Sequence, residues 1–333
     1  LKNQSGVSMI KIGVCVICYN RLEHLESLFS ILDAIKFENQ VEIIASIDYS
    51  TQQSEIEKLF ELFSWRNVKS RVIKYQKNLG LKEHVLRCGD LTNEYDILVL
   101  LEEDLCVSPY FESYIESSYY LSIADHDIGG VSLYSYNRNE CDKIDFWPNI
   151  DSMDNYFIQF PSSWGFAVTA KQWQDFRIWL TANDCDFFDD KRIPKYICDW
   201  GAKSWKKHFA RYLVHSDKYF SYPRFSLTSN PGVAGSHHYS INGLYSVPIC
   251  QSNRNWRLGH LKTSLAVYDI NFLPIDSYGV FDGHYSRGSI QCDDKGKYIT
   301  DNFYLGVSEL FGVNISCINK FFLKLYGKLK SFL

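Results

Sequence analysis

Residues 97–101 read Ile-Leu-Val-Leu-Leu, and the next three residues are Glu102, Glu103 and Asp104. A continuous apolar run of this length fits a strand buried on both faces of a parallel sheet, because a strand with one wet face would alternate polar and apolar residues. Three carboxylates directly at its carboxyl end repel one another and lose hydration, which is costly unless a cation or hydrogen-bond donors offset it. In open α/β sheets, that end of the strands is where ligands bind. Oxygen-rich sites suit Mg2+ or Mn2+, ions that commonly keep substrate phosphates among their ligands. The stretch therefore reads as a candidate metal–diphosphate site, with a solvated acidic loop as the plain alternative.

The flanking sequence supplies the rest of such a sheet. A β-rich apolar run at 9–17 leads through Cys18-Tyr19-Asn20-Arg21 into a segment, 22–35, whose Leu25, Leu28, Phe29 and Leu32 recur at helical spacing. A strand at 41–47 ends in Asp48, a helix is expected over 54–65, a third strand over 68–75, and a helix around 82–88. Strands alternating with helices imply right-handed crossovers and a mostly parallel sheet, so the fold class is α/β. Neither common glycine-rich phosphate loop occurs in this half, so a nucleotide bound here would have its phosphates held by side chains and a metal. Beyond it the spacing predicts a helix over 108–123 with Pro109 at its first position, a strand at 129–136 and a polar, aromatic loop over 137–157. A turn at 160–165 then feeds a strand, followed by helices at 170–180 and 196–209 and short strands at 212–216 and 219–223. The turn-rich segment 228–238 is expected to lack regular structure.

Composition narrows the function classes. A formal charge of −4 and a pI near 6.2 over 333 residues exclude a general nucleic-acid binder, which needs clustered Lys and Arg. The ten cysteines include Cys15, Cys18 and Cys106 in apolar runs with no recognisable secretory signal before them, so reduced thiols in packing roles are expected. Cys15 and Cys18 have redox or zinc spacing but no second pair, which favours the core. The first eight residues read as a leader outside the fold. The tail, 318–333, alternates Phe and Leu with Lys320, Lys324, Lys328 and Lys330. It is shorter than the ~20 apolar residues a span requires, and fits either a helix lying on an anionic membrane surface or one docking on the protein.

Taken in order, Val16-Ile17-Cys18-Tyr19-Asn20-Arg21, Ser46-Ile47-Asp48, the stretch from Val99 through Glu102-Glu103-Asp104 to Ser108-Pro109-Tyr110-Phe111, Phe160-Pro161 onward to Trp173, Asp199-Trp200 and Gly232 to His237 resemble the GT-A nucleotide-sugar glycosyltransferases. The resemblance is to the N-acetylglucosaminyltransferase I type and covers roughly residues 9–240. It implies a GT-A domain over 9–257, with a nucleotide-binding half (9–115) and an acceptor-binding half (116–257), and a C-terminal extension over 258–333. It implies an inverting, metal-dependent enzyme that moves a sugar from a UDP-sugar to a carbohydrate acceptor, plausibly a lipid-linked intermediate of bacterial surface polysaccharide. Its expected location is the cytoplasm or the inner face of the cell membrane.

Residue by residue, the resemblance implies Asp104 as ligand of Mn2+ or Mg2+, and Glu102 and Glu103 as contacts to donor hydroxyls, ribose or metal-bound water. It places Arg21 and Asp48 on the nucleotide, and Asp199 as the catalytic base. Trp164 would stack on a sugar, and His237 or His238 would meet metal or phosphate. The motif reads Glu-Glu-Asp where the family more often has Glu-Asp-Asp. For Asp48 and Asp199 a helix cap is the alternative, and Asp184, Asp186, Asp189 and Asp190 are rivals for the base. Trp200 and Trp205 are expected to lower the polarity around Asp199. Two other functions stay open. A sugar nucleotidyltransferase would need a glycine-rich loop after the first strand, which 18–21 lacks. A non-catalytic carbohydrate- or nucleotide-binding module would keep the fold without the chemistry.

Overall fold

The computed structural model describes residues 9–66, 68–141, 143–185, 188–232 and 245–275, together with the backbone of 291–292 and 298–299. The first half follows the predicted alternation: β1 (Lys11–Cys18), α1 (Leu22–Ala34), β2 (Gln40–Ile47), α2 (Gln53–Glu61), β3 (Lys69–Lys74), α3 (Leu81–Gly89) and β4 (Ile97–Glu102). The apolar run is buried on both faces in β4, as its lack of alternation requires. Helix α1 buries Leu25, Leu28, Phe29 and Leu32, and Phe29 meets Phe60 of α2 edge-on at 5.2 Å.

The second half adds β5 (Cys106–Val107), α4 (Phe111–Ala124), β6 (Ile128–Ser132), β7 (Asn155–Ile158), β8 (Phe166–Val168), α5 (Ala170–Asn183), α6 (Lys195–Cys198), α7 (Trp205–His215), β9 (Tyr219–Pro223), β10 (Thr228–Ser229) and β11 (Val267–Tyr268). Nine strands form one sheet in the order β11-β7-β9-β6-β8-β4-β1-β2-β3. The run β3-β2-β1-β4 is parallel throughout, and β8 joins β4 antiparallel with Leu100 opposite Phe166. The chain moves outward from β1 through β2 to β3, then returns to the other flank of β1 to lay down β4. The topological switch point of the sheet therefore lies between β1 and β4, where the crevice for a ligand is expected. The α/β class, with a large, mostly parallel sheet flanked by helices, is as predicted.

Several local expectations are corrected. The single helix over 196–209 is two helices: the chain breaks at 199–204 and restarts where the Ser204 hydroxyl accepts from the Lys207 N–H at 3.3 Å. The strand expected at 212–216 is the end of α7, because Phe209, Tyr212 and Leu213 bury one helical face. The loop 137–157 runs into β7. The turn-rich segment at 228 begins with β10, paired antiparallel to β5. Helix α4 starts at Phe111 rather than at Pro109, since the Ser108 hydroxyl accepts from the Tyr110 N–H at 3.1 Å and donates to the Cys250 carbonyl at 2.6 Å.

Strand β11, which lies within the expected C-terminal extension, pairs parallel with β7. The unit from Gly279 onward contains an antiparallel pair, β12 (Gln291–Cys292) with β13 (Tyr298–Ile299). The leader, His237, His238 and the 318–333 tail fall outside the described residues. Among those described, no helix is long and apolar enough to cross a membrane, and Cys15, Cys18, Cys88, Cys106, Cys141, Cys185, Cys198 and Cys250 are free thiols. Cys15 and Cys18 are core as expected, whereas Cys106 is exposed.

Gly89, the last residue of α3, lies under the indole of Trp173, where a Cβ would stand 2.0 Å from Cζ2. Gly89→Ala should therefore cost about 2 kcal/mol through overpacking, read as a lower thermal midpoint, and an unchanged midpoint would show that Trp173 yields.

Candidate active site

The exits of β1 and β4 meet because Ile17 and Glu102 are partners in the parallel ladder. Past β1, the Tyr19 and Asn20 N–H groups donate to Glu103 Oε2 at 2.7 and 3.3 Å. Arg21 follows at the start of α1, its Nη1 bound to Asp104 Oδ2 and its Nε 3.7 Å from Glu103 Oε1. Two of the three carboxylates thus have their charge offset by the facing strand exit, which answers the cost seen in the sequence. Glu103 and Asp104 are nonetheless buried, and burial raises the Glu103 carboxyl above its ordinary range despite the donors on it. Arg21, Glu103 and Asp104 therefore form one cluster.

Glu102 differs from its neighbours. Its carboxylate accepts no hydrogen bond from a described residue, and burial, followed by the charge of Asp104, pushes it up to about 8. The charges of Lys206 and Arg21 pull it the other way. Lys206 sits in the first turn of α7, buried, with its Nζ 3.0 Å from Glu140 Oε1 and 4.4 Å above the Phe160 ring. Glu140 also accepts from the Tyr136 hydroxyl at 2.6 Å. Burial alone would raise the Glu140 carboxyl, but Lys206 and Tyr136 outweigh it and hold it below the usual range. This group was not singled out in the sequence: Lys206 reads as an ordinary charge in a helix's first turn and Glu140 as a polar loop residue, and no spacing links them.

Asp48 follows β2, 2 % exposed, and its carboxylate accepts from the N–H groups of Leu79 (2.9 Å) and Gly80 (3.1 Å). It therefore fixes the turn into α3, where Gly80 takes a φ of 74°, and does not cap α2. That turn borders a cleft of about 800 Å³ whose lining includes Asn78, Leu79, Lys82, Arg177, Asp184 and Lys203. Trp164 is enclosed by Tyr134 at 4.7 Å and Tyr245 at 4.5 Å, so its ring stands inside an aromatic cluster rather than as an open platform. Gly165 after it has a φ of 84°, and a Cβ there would approach Thr228 Cγ2 to 3.0 Å.

Asp199 follows α6, exposed, and its Oδ1 lies 2.9 Å from Lys195 Nζ. The expectation that Trp200 and Trp205 enclose it is corrected: Trp205 is buried and stacks on Phe166, while the half-buried Trp200 packs on Phe160 and Tyr196. Asp199 instead lines a cleft of about 690 Å³ with Asp189, Asp190, Lys195 and Asn271. Of the rival acids, Asp184 pairs with Lys82, Asp190 with Arg192 and His215 at 2.8 and 2.7 Å, and Asp186 lies outside the described residues.

Among the described residues, no group of three or more His, Cys, Asp or Glu side chains is arranged as a metal cage. Asp104 places one hard carboxylate at the switch point, where it is paired with Arg21; Mg2+ and Mn2+ commonly take one or two such groups and fill their shell with phosphate and water.

No protein-family model matches the chain, and no curated protein matches its sequence. Among solved structures, the chain is similar to the mannosyltransferase PcManGT from Pyrobaculum calidifontis in complex with GDP-Man and Mn2+, at 14 % identity and a TM-score of 0.45 over 70 % of this chain and 60 % of that one. It is similar to GalNAc-T7 with UDP, GalNAc and Mn2+, at 13 % and 0.46 over 65 % and 42 %. It is also similar to residues 1–349 of S. aureus TarS in complex with UDP-GlcNAc, at 13 % and 0.38 over 66 % and 57 %. The chain thus spans between 42 % and 60 % of these proteins' lengths. Likeness at these scores lends no weight to a choice of donor, acceptor or metal.

The raised Glu102 carboxyl makes a sign-definite prediction. The folded chain binds a proton there more tightly than the unfolded chain, so the stabilisation is complete below about pH 4.5 and is lost as pH rises through about 8. In chelator, the thermal midpoint should fall across that window, and Glu102→Gln should flatten the fall. An equal slope in the variant would remove Glu102 as its source.

Proposed function

We propose that the chain is a metal-dependent nucleotide-sugar glycosyltransferase of the GT-A architecture, transferring a sugar from a UDP-sugar to a carbohydrate acceptor with inversion. The observation that carries this reading is the meeting of Arg21 with Glu103 and Asp104 at the β1/β4 switch point. An anionic ligand finds a guanidinium fork there, and a divalent cation finds carboxylate oxygen. Asp104 would hold that ion, which when bound supplies Lewis-acid stabilisation of a leaving diphosphate.

In this proposal Arg21 turns from Asp104 to the donor's phosphate or base, Glu103 holds the ribose from a position fixed by the 19–20 backbone, and Glu102 meets donor hydroxyls. Asp48 contributes through the turn it fixes, with the nucleoside in the adjoining cleft. Asp199 takes the acceptor's hydroxyl proton. Its pair with Lys195 is exposed and of i,i+4 spacing, and such pairs are weak, so an acceptor hydroxyl can displace it. The assignment of the acceptor to bacterial surface polysaccharide, and of the 318–333 tail to a membrane surface, rests on the sequence resemblance and on the tail's own pattern.

The test is release of UDP from a panel of UDP-sugars with and without Mn2+. Mn2+-dependent release is expected, with Asp104→Asn reducing it on the order of a hundredfold. Asp199→Asn should abolish transfer while donor binding, followed by thermal shift, persists. Pyrophosphate exchange with a sugar 1-phosphate and UTP would instead mark a nucleotidyltransferase, and donor binding without any UDP release would mark a binding module.

A further inference from the structure

Trp147 and Ile150 are 79 % and 93 % exposed on the loop that leads into β7, and Leu265 is 55 % exposed on the segment leading into β11. Large apolar side chains grouped in water mark a contact surface. The loop that carries them is not slack. Arg224 donates to the carbonyls of Pro148 at 3.4 Å, Asn149 at 2.6 Å and Met153 at 2.8 Å, and to Asp151 Oδ1 at 2.9 Å. The Asn149 N–H donates to the Tyr268 hydroxyl at 2.6 Å, and its side-chain amide donates to the Leu265 carbonyl at 3.1 Å, which joins the two segments into one surface. Phe146 is buried and meets the Tyr268 ring at 5.0 Å. The loop is thus anchored inward at Phe146 and along its backbone, while its neighbours Trp147 and Ile150 are held outward.

We infer that Trp147, Ile150 and Leu265 form an anchor that enters the interfacial region of a phospholipid bilayer. The backbone is prepared for a layer poor in water, where each polar group needs an internal partner. The carbonyls of Pro148 and Asn149 and the Asn149 N–H all have one, and Pro148 has no N–H to leave bare. A sugar or a protein surface would be recognised through donors and acceptors beside the apolar groups. Those present, Asn149, Asp151 and Arg224, are spent on one another and on nearby backbone. Trp favours the bilayer–water boundary, and Ile and Leu favour the acyl layer beneath it. Lys262, three residues before Leu265 and 75 % exposed, makes a weak exposed contact to Asp127 at 3.5 Å, so its ammonium can turn to a headgroup phosphate. Because the loop is already ordered, insertion costs little conformational entropy. The inference depends neither on the glycosyltransferase reading nor on the 318–333 tail.

The experiment is flotation of the full chain with vesicles of phosphatidylcholine alone, with circular dichroism confirming the fold of each variant. The wild-type chain should float, and should still do so in about 0.5 M salt, because apolar insertion is not screened as charge attraction is. Trp147→Ser combined with Ile150→Ser should lower the partition coefficient about thirtyfold. Trp147→Phe should retain flotation, yet lose part of the tryptophan quenching that vesicles of brominated phosphatidylcholine produce in the wild type. Flotation that requires phosphatidylglycerol and disappears in high salt would assign the contact to the lysines of the tail and overturn the inference. Absence of flotation, flotation unchanged in the double variant, or quenching unchanged in Trp147→Phe overturns it as well. A vesicle-free dimer that the double variant converts to monomer, read by sedimentation, would give the surface to a second copy of the chain instead.

Discussion

Carboxylates crowded at the end of a fully buried strand are the constraint on which this structure depends. Removing them from water is unfavourable, and each added negative charge makes the next harder to ionise. The chain meets the cost from three directions. The backbone after β1 donates to Glu103, Arg21 meets Asp104, and the charge of Lys206 in the second half favours the ionised form of Glu102. The compensation is incomplete at Glu102, whose carboxyl stays far above its ordinary range.

The sheet order explains why these groups converge. Crossing from β3 back to the free flank of β1 places two parallel strand exits side by side, and nothing in the ladder continues beyond them. The antiparallel entry of β8 against β4 then ties the second half to the same strand. Its short length, three residues, makes the Trp164-Gly165 turn fall close to the acidic exit, and α7 docks there through Trp205. Site and interface between the halves are thus one packing problem, solved by aromatic rings.

The first half was largely legible in sequence because its elements are single-purpose. Apolar runs without alternation gave buried strands, and 3.6-residue spacing gave α1 and α2. The second half was less so. The segment 196–209 carries helical residues on both sides of a break that ends at the Ser204 cap, and the end of α7 has the aromatic, β-branched look of a strand until its helical face is packed. Residues 137–157 carry no period because their order comes from distant partners, such as Tyr156 stacking on Tyr222 at 5.5 Å. The acids of the site were named from the sequence, whereas the burial of Asp48 and Trp164 is set by distant partners that no local pattern shows.

By itself the sequence determined that a buried strand ends in Glu102, Glu103 and Asp104, and that helices and strands alternate around it, because periodicity and local charge are properties of neighbouring residues. Only the tertiary structure decided which charges stand against those acids. Arg21 is 83 positions from Asp104 along the chain, and Lys206 meets Glu140 across 66. Pairings at that separation leave no local pattern, since they are fixed by strand order and by how α7 packs rather than by any spacing within a segment.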